Sequence, residues 1–134
     1  MTGYLQIDTL AHDKKFCAYV AEPAGTPKAA IIVIQEIFGV NPGIRKKCDE
    51  WAAKGYLAVA PDLFWRIEQQ IELDADIPAE MERALSLIGQ FDQDKGISDI
   101  EATIHWARAR IGGGKVGAVG YCIGGRLAYM TAAR

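Results

Sequence analysis

Short apolar runs and longer amphipathic segments take turns along this chain. Phe16, Ala18 and Val20 alternate with Cys17, Tyr19 and Ala21, the period of a strand, so Lys15–Ala21 is predicted as one. Residues 4–7 are expected to pair with it antiparallel across residues 11–14. Pro23 and Pro27 then interrupt pairing in a loop. Residues 29–34 are apolar on both faces, which predicts a central, parallel strand. Asn41 as cap and Pro42 in the first turn open a helix with Ile44, Cys48 and Trp51 on one face. It is expected to end near Lys54-Gly55, where Gly suits a left-handed cap.

A second buried strand is predicted over residues 57–60, closed by Pro61-Asp62. A polar, acidic crossing without clear periodicity fills residues 66–78. Residues 79–90 are predicted as a helix carrying Met81, Ala84, Leu85 and Ile88. Ser98 and Glu101 form a capping-box pattern for a further helix through Ala109. Three glycines, Gly112 to Gly114, deliver the chain to a buried strand at residues 115–119, and a helical segment follows from Gly125 onward. Strands alternating with helices predict an α/β fold with a mostly parallel sheet and two antiparallel strands in front. Right-handed crossovers set the carboxyl ends of the parallel strands on one edge, where ligands bind. Glu36, Ile37, Asp62 and Cys122 all follow strands at that edge.

Gly120-Tyr121-Cys122-Ile123-Gly124 stands between the last strand and the last helix. Strand, tight turn and helix around G-x-nucleophile-x-G is a nucleophile elbow, here with Cys where Ser is commoner. A Cβ at either glycine would collide with the neighbouring strand or helix. The positive end of the following helix favours the thiolate. The backbone N–H groups of Ile123 and Ile37 suit the two donors of an oxyanion hole. Glu36 is positioned to hold or remove the thiol proton. A structural role for Cys122, as a small filler at a strand end, is the competing reading. Cys17 and Cys48 read as packing residues. A P-loop fails because Arg126-Leu127 follows the last Gly, and a dinucleotide turn fails because Cys122 stands where a bare Gly is needed.

The 134 residues suit one domain, half of them apolar and a quarter charged, with a net charge of −2. The basic residues are dispersed, and Arg45-Lys46-Lys47 reads as a solvated helix face, so no nucleic-acid surface is expected. Three cysteines without a close pair argue against a disulfide framework and for a reducing compartment, with the cytoplasm as the expected location. His12 and His105 lack ligand spacing to any Cys, so no metal site is expected. No signal peptide or membrane span is expected either.

Gln35-Glu36-Ile37-Phe38-Gly39-Val40-Asn41, Tyr56 to Leu63, Phe91-Asp92 and Gly114 to Gly125 resemble, in order, the blocks of the dienelactone hydrolase (carboxymethylenebutenolidase) family of α/β-hydrolases. The resemblance covers essentially the whole chain. It implies a three-layer sandwich, truncated after the elbow helix, as the N-terminal part of a single domain. It further implies cleavage of a small ester or lactone by Cys122 through an acyl-enzyme, with Glu36 answering to the resting thiol and Ile37 and Ile123 forming the oxyanion hole. Phe38 would contact substrate, and no metal or cofactor is implied. Met81 and Leu85, the other expected substrate contacts, fall where enzymes acting on dienelactone itself place an Arg and a Tyr, so a substrate carboxylate loses that partner and a related, less acidic ester or lactone is expected equally with dienelactone.

The family completes its triad with an Asp and a His beyond the elbow, and these are expected beyond residue 134. His105 lies mid-helix and His12 in the first hairpin, so neither is expected to replace that His. The alternative is a non-catalytic hydrolase fragment acting as a binding or interaction module. Redox sensing would need a resolving thiol close to Cys122, and the spacing shows none.

Overall fold

The computed structural model describes residues 2–121 and 123–133, with residues 123–125 described through their backbone alone. The elements run β1 (Thr2–Asp8), β2 (Lys15–Ala21), β3 (Ala30–Ile34), α1 (Pro42–Ala53), β4 (Leu57–Pro61), α2 (Pro78–Gln90), α3 (Gln93–Arg110), β5 (Val116–Gly120) and α4 (Ile123–Ala133). They form one sheet in the order β1-β2-β4-β3-β5. β2 pairs antiparallel with both β1 and β4, whereas β3 pairs parallel with β4 and β5. The carboxyl ends of β3, β4 and β5 therefore share one edge of the sheet.

Two-sided burial explains why the central strands are almost wholly apolar. Ala18 and Val20 of β2, Ile32 and Ile34 of β3 and Leu57 and Val59 of β4 face a core closed by Ile97, Ile100 and Ala107 of α3 and Leu127 of α4. The alternate residues Tyr19, Ala21, Val33, Ala58 and Ala60 face Ile44 and Cys48 of α1. The result is three layers, with α1 on one face and α3 and α4 on the other. Each fully buried Ile or Leu adds about 1.5–3 kcal/mol of transfer free energy.

α1 forms as its sequence predicts. Asn41 Oδ1 accepts the Ile44 N–H at 3.1 Å, Pro42 occupies the first turn, and Gly55 follows the helix at φ 98°. Other elements depart from expectation. α3 starts at Gln93, well before Ser98, because Asp92 caps it by accepting the Lys95 N–H at 3.1 Å. Phe91 packs directly over Gly96, so the first turn is seated before Ser98 is reached. Ser98 lies within the helix and returns its hydroxyl to the Asp94 carbonyl.

On α2 the inward residues are Ala84 and Leu87, backed by Ile88, while Leu85 is 57% exposed. The helix packs on Phe64, Ile71 and Leu73 rather than on the sheet, and this rotates its apolar stripe away from Leu85. The crossing that reads as polar contains buried Ile71 and Leu73 on either side of exposed Glu72. β5, expected to be buried, pairs only with β3 among the described strands and leaves Gly117 and Ala118 exposed.

One buried charge ties the α3 layer to the β4 exit. Asp99 on α3 accepts Trp65 Nε1 at 2.9 Å and both Nε and Nη2 of Arg66, at 3.2 and 3.0 Å. Its side chain is 1% exposed, so truncating it leaves an indole N–H and a guanidinium without their acceptor. Asp99→Ala is expected to lower the unfolding free energy by about 3 kcal/mol in urea denaturation. Asp99→Asn, which keeps an acceptor, should lose clearly less. A loss under about 1 kcal/mol for Ala would show that the cluster is not stabilising.

Candidate active site

A strand buried on both faces must leave the sheet with its polar backbone groups still satisfied. β3 does so through Gln35, which is 2% exposed. Its Oε1 accepts the Leu63 N–H at 2.9 Å, and its Nε2 donates to the Glu36 carbonyl at 3.2 Å. One amide thus joins the exits of β3 and β4. The chain then reverses tightly, with Gly39 at φ 79° donating its N–H to the Glu36 carbonyl at 3.3 Å. A Cβ on Gly39 would overlap the Ile71 carbonyl oxygen, so only Gly permits this approach. Leu73 N–H closes the clasp on the Phe38 carbonyl at 2.9 Å.

Between this reversal and the crossing lies a cleft of about 570 Å³. Glu36 and Phe38 line it from the β3 exit, Asn41 and Pro42 from the start of α1, residues 72–75 from the crossing, and Glu80 from α2. Glu36, Ile37 and Phe38 are all half-buried, and Ile37 and Phe38 pack against the cluster of Phe64, Ile71, Leu73, Ala84 and Leu87. Neither Met81 nor Leu85 is among the lining residues; α2 presents Glu80 instead. Arg45 on α1 pairs with Glu72 at 2.6 Å and also donates to the Val40 carbonyl and the Tyr4 hydroxyl. Glu80 Oε1 accepts the Asp74 N–H at 3.1 Å, and Asp74 Oδ1 accepts the Asp76 N–H at 2.9 Å. Gln35, Glu72, Asp74 and Glu80 have no place in the sequence-based site. The alternation of Ile71, Glu72 and Leu73 is the one signal that could have brought the crossing into it.

β5 ends at Gly120, whose Cα is in register with Ile34, and α4 begins at Ile123. The exits of β3 and β5 are therefore adjacent. Cys122, the expected nucleophile, lies outside the described residues. Tyr121 packs into the α1 layer with the Lys47 ammonium 4.6 Å from its ring centroid.

Asp62 follows β4 but is not free to face a ligand. It is 2% exposed, and its Oδ2 accepts the Gln70 N–H at 2.6 Å while Oδ1 has no hydrogen-bond partner among the described residues. Burial pushes its carboxyl up from 3.8 to about 6, against the pull of the Gln70 and Phe64 N–H groups. His12 and His105 both line a separate cleft of about 400 Å³, together with Ile7 and Trp106. That cleft lies by β1, the outer strand opposite β5, so four strand spacings, about 19 Å, separate the two strands.

The sequence model of the Dienelactone hydrolase family matches residues 16–134. The chain belongs to that family. Carboxymethylenebutenolidase 1 of Cupriavidus pinatubonensis is 42% identical over 121 residues, which cover 90% of this chain and 52% of that protein. Carboxymethylenebutenolidase of Pseudomonas putida is 42% identical over 120 residues, covering 89% and 51%. A crystal structure from Klebsiella pneumoniae subsp. pneumoniae superposes with a TM-score of 0.78 at 31% identity, covering all of this chain and 55% of that one. The dienelactone hydrolase of Anabaena variabilis shares the fold with a TM-score of 0.70 at 18% identity, covering 99% and 57%. This dienelactone hydrolase family chain thus spans about half the length of the curated relatives it matches. Among its described residues no helix is long and apolar enough to cross a membrane.

Two expectations follow from the family's strand exits as built here. Gly39→Ala must strain a positive φ and displace the Ile71 carbonyl, so it should cost at least about 2 kcal/mol in chemical denaturation. An unchanged midpoint would show that the clasp relaxes freely. For Asp62 the folded chain holds the proton more tightly than the unfolded chain does. Its contribution is therefore complete below pH 4 and is lost as the pH rises through about 6. Relative to Asp62→Asn, the parent's unfolding free energy should fall by roughly 2 kcal/mol between pH 4 and pH 7. Parallel pH profiles for the two proteins would assign the titration elsewhere.

Proposed function

We propose that the chain carries the nucleophile and oxyanion elements of a thiol hydrolase acting on a small ester or lactone. The Cys122 thiolate attacks the acyl carbon, and the carbonyl electrons move onto oxygen, facing the Ile37 and Ile123 N–H groups. Collapse of that oxyanion expels the alkoxide or enolate, which takes up a proton, and leaves a thioester on Cys122. Water then splits the thioester into free acid and thiol. Glu36 interacts with the resting thiol and influences its proton. An Asp and a His outside these 134 residues complete the triad and deprotonate the water. The reading calls on no metal or cofactor.

The observation that carries it is the adjacency of the β3 and β5 exits, with Ile34 and Gly120 in register and a helix starting at Ile123. That is the strand-turn-helix setting that G-x-Cys-x-G requires. The curated relatives, named carboxymethylenebutenolidases at 42% identity, support the same reaction class. Among the lining residues the cleft by Glu36 has no imidazole, and this favours a second reading, a binding module descended from a hydrolase.

Rapid mixing with a chromogenic activated ester separates the two. A Cys122-dependent burst of about one equivalent, followed by slow or no turnover, is expected for the hydrolase elements acting without their His. Cys122→Ala should abolish the burst. Release of chromophore at equal rates from parent and variant would favour the binding module.

A further inference from the structure

The basic run Arg45-Lys46-Lys47 reads in sequence as one solvated helix face, but its three members occupy three different environments. Arg45 is pinned at the cleft by Glu72 and the Val40 carbonyl. Lys46 is exposed and takes part in no hydrogen bond, ion pair or ring contact among the described residues. Lys47 is half-buried, with its ammonium 4.6 Å from the centroid of the Tyr121 ring. No carboxylate pairs with Lys47 among the described residues, so the ring face is its partner. That ring packs beside Val119 on the α1 layer, against the cluster that includes Val40, Ile44 and Cys48. α1 therefore holds the β3 exit with one cation and the β5 exit with another.

A cation over an aromatic face is drawn by the ring's quadrupole, and more strongly where water is partly excluded. Apolar packing sets where the Tyr121 ring lies, and the ammonium resists its sliding off that place. Tyr121 directly precedes Cys122, so a ring fixed on α1 restricts the swing of the turn that follows. We propose that Lys47 is a positioning residue for the Cys122 nucleophile, acting through the Tyr121 ring. It needs no contact with substrate. By limiting the excursions of the turn, it raises the share of encounters in which the thiolate meets the acyl carbon in line. The part in acyl transfer rests on the hydrolase reading above; the hold on the turn rests on the Lys47–Tyr121 contact alone.

The test follows acylation of the 134-residue chain by a chromogenic activated ester over a range of ester concentrations. Lys47→Met keeps the stem and removes the charge. Its limiting acylation rate should fall about threefold, with the half-saturating ester concentration and the burst amplitude unchanged. Lys47→Arg keeps a cation for the ring and should restore most of the rate. Lys46→Met, one residue away, should match the parent. Tyr121→Leu should lose at least as much as Lys47→Met, and adding Lys47→Met to it should cost nothing further. Equal limiting rates for Lys47→Met and the parent overturn the proposal. So does an equal loss in Lys46→Met, which would make the effect a general field of charge, or a change confined to the half-saturating concentration, which would make Lys47 a substrate contact.

Amide hydrogen exchange over residues 119–123 tests the hold on the turn without any ester. It should quicken about threefold in Lys47→Met, stay at the parent rate in Lys46→Met and Lys47→Arg, and leave exchange in α3 unchanged in all three. Unaltered exchange in Lys47→Met overturns the hold whatever the ester shows. Faster exchange in Lys47→Met, with no burst from any protein including the parent, supports the hold while removing the hydrolase reading.

Discussion

The architecture around the cleft depends on one constraint: β3 is buried on both faces, and its polar backbone must remain satisfied as it leaves the sheet. Water is not available at that point, so the chain supplies its own partners. Gln35 joins the β3 and β4 exits through a single amide, and Gly39 turns the chain back at a φ that disfavours other residues. That reversal brings the Phe38 carbonyl to Leu73 and so fixes the crossing as the far wall of the cleft. Remove the constraint and the segment from Glu36 to Phe38 would have no reason to adopt one geometry.

The same economy of partners shapes the charges around the exits. Asp62 is held by the Gln70 N–H in a buried setting, where its neutral form is favoured near and below pH 6. The β4 exit therefore uses an acid as a brace. At the β3 exit Arg45 is pinned by three acceptors on different segments, Glu72, Val40 and Tyr4. Such a guanidinium organises the wall of the cleft but has little freedom to receive an anionic ligand.

Where sequence reading and structure part, the cause is packing between elements that are distant in the chain. Ser98-x-x-Glu101 is a sound cap pattern, yet Asp92 caps α3 because Phe91, anchored on Phe64 and Gly96, seats the helix earlier. Leu85 fits an apolar helical stripe by spacing, but the partner of α2 is the Phe64, Ile71 and Leu73 cluster, and the partner decides which side faces in. β5 is apolar enough to be central, but burial depends on neighbours, and among the described strands it has only β3.

Taken by itself, the sequence determined the element order, the α/β class, the α1 cap and the parallel placement of β3. It also held the paired blocks around Glu36 and Cys122 by which the family is read. These are local or periodic properties: alternation, a capping side chain, a glycine where a positive φ is required. The tertiary structure alone decided that Gln35 would bridge two strand exits and that His12 and His105 would line one cleft by β1, far from β5. It alone gathered Glu36, Glu72, Asp74 and Glu80 around one cleft. Each of these depends on contacts between segments tens of residues apart, and such contacts exist only once the sheet has set its strand order and the helices have chosen their faces.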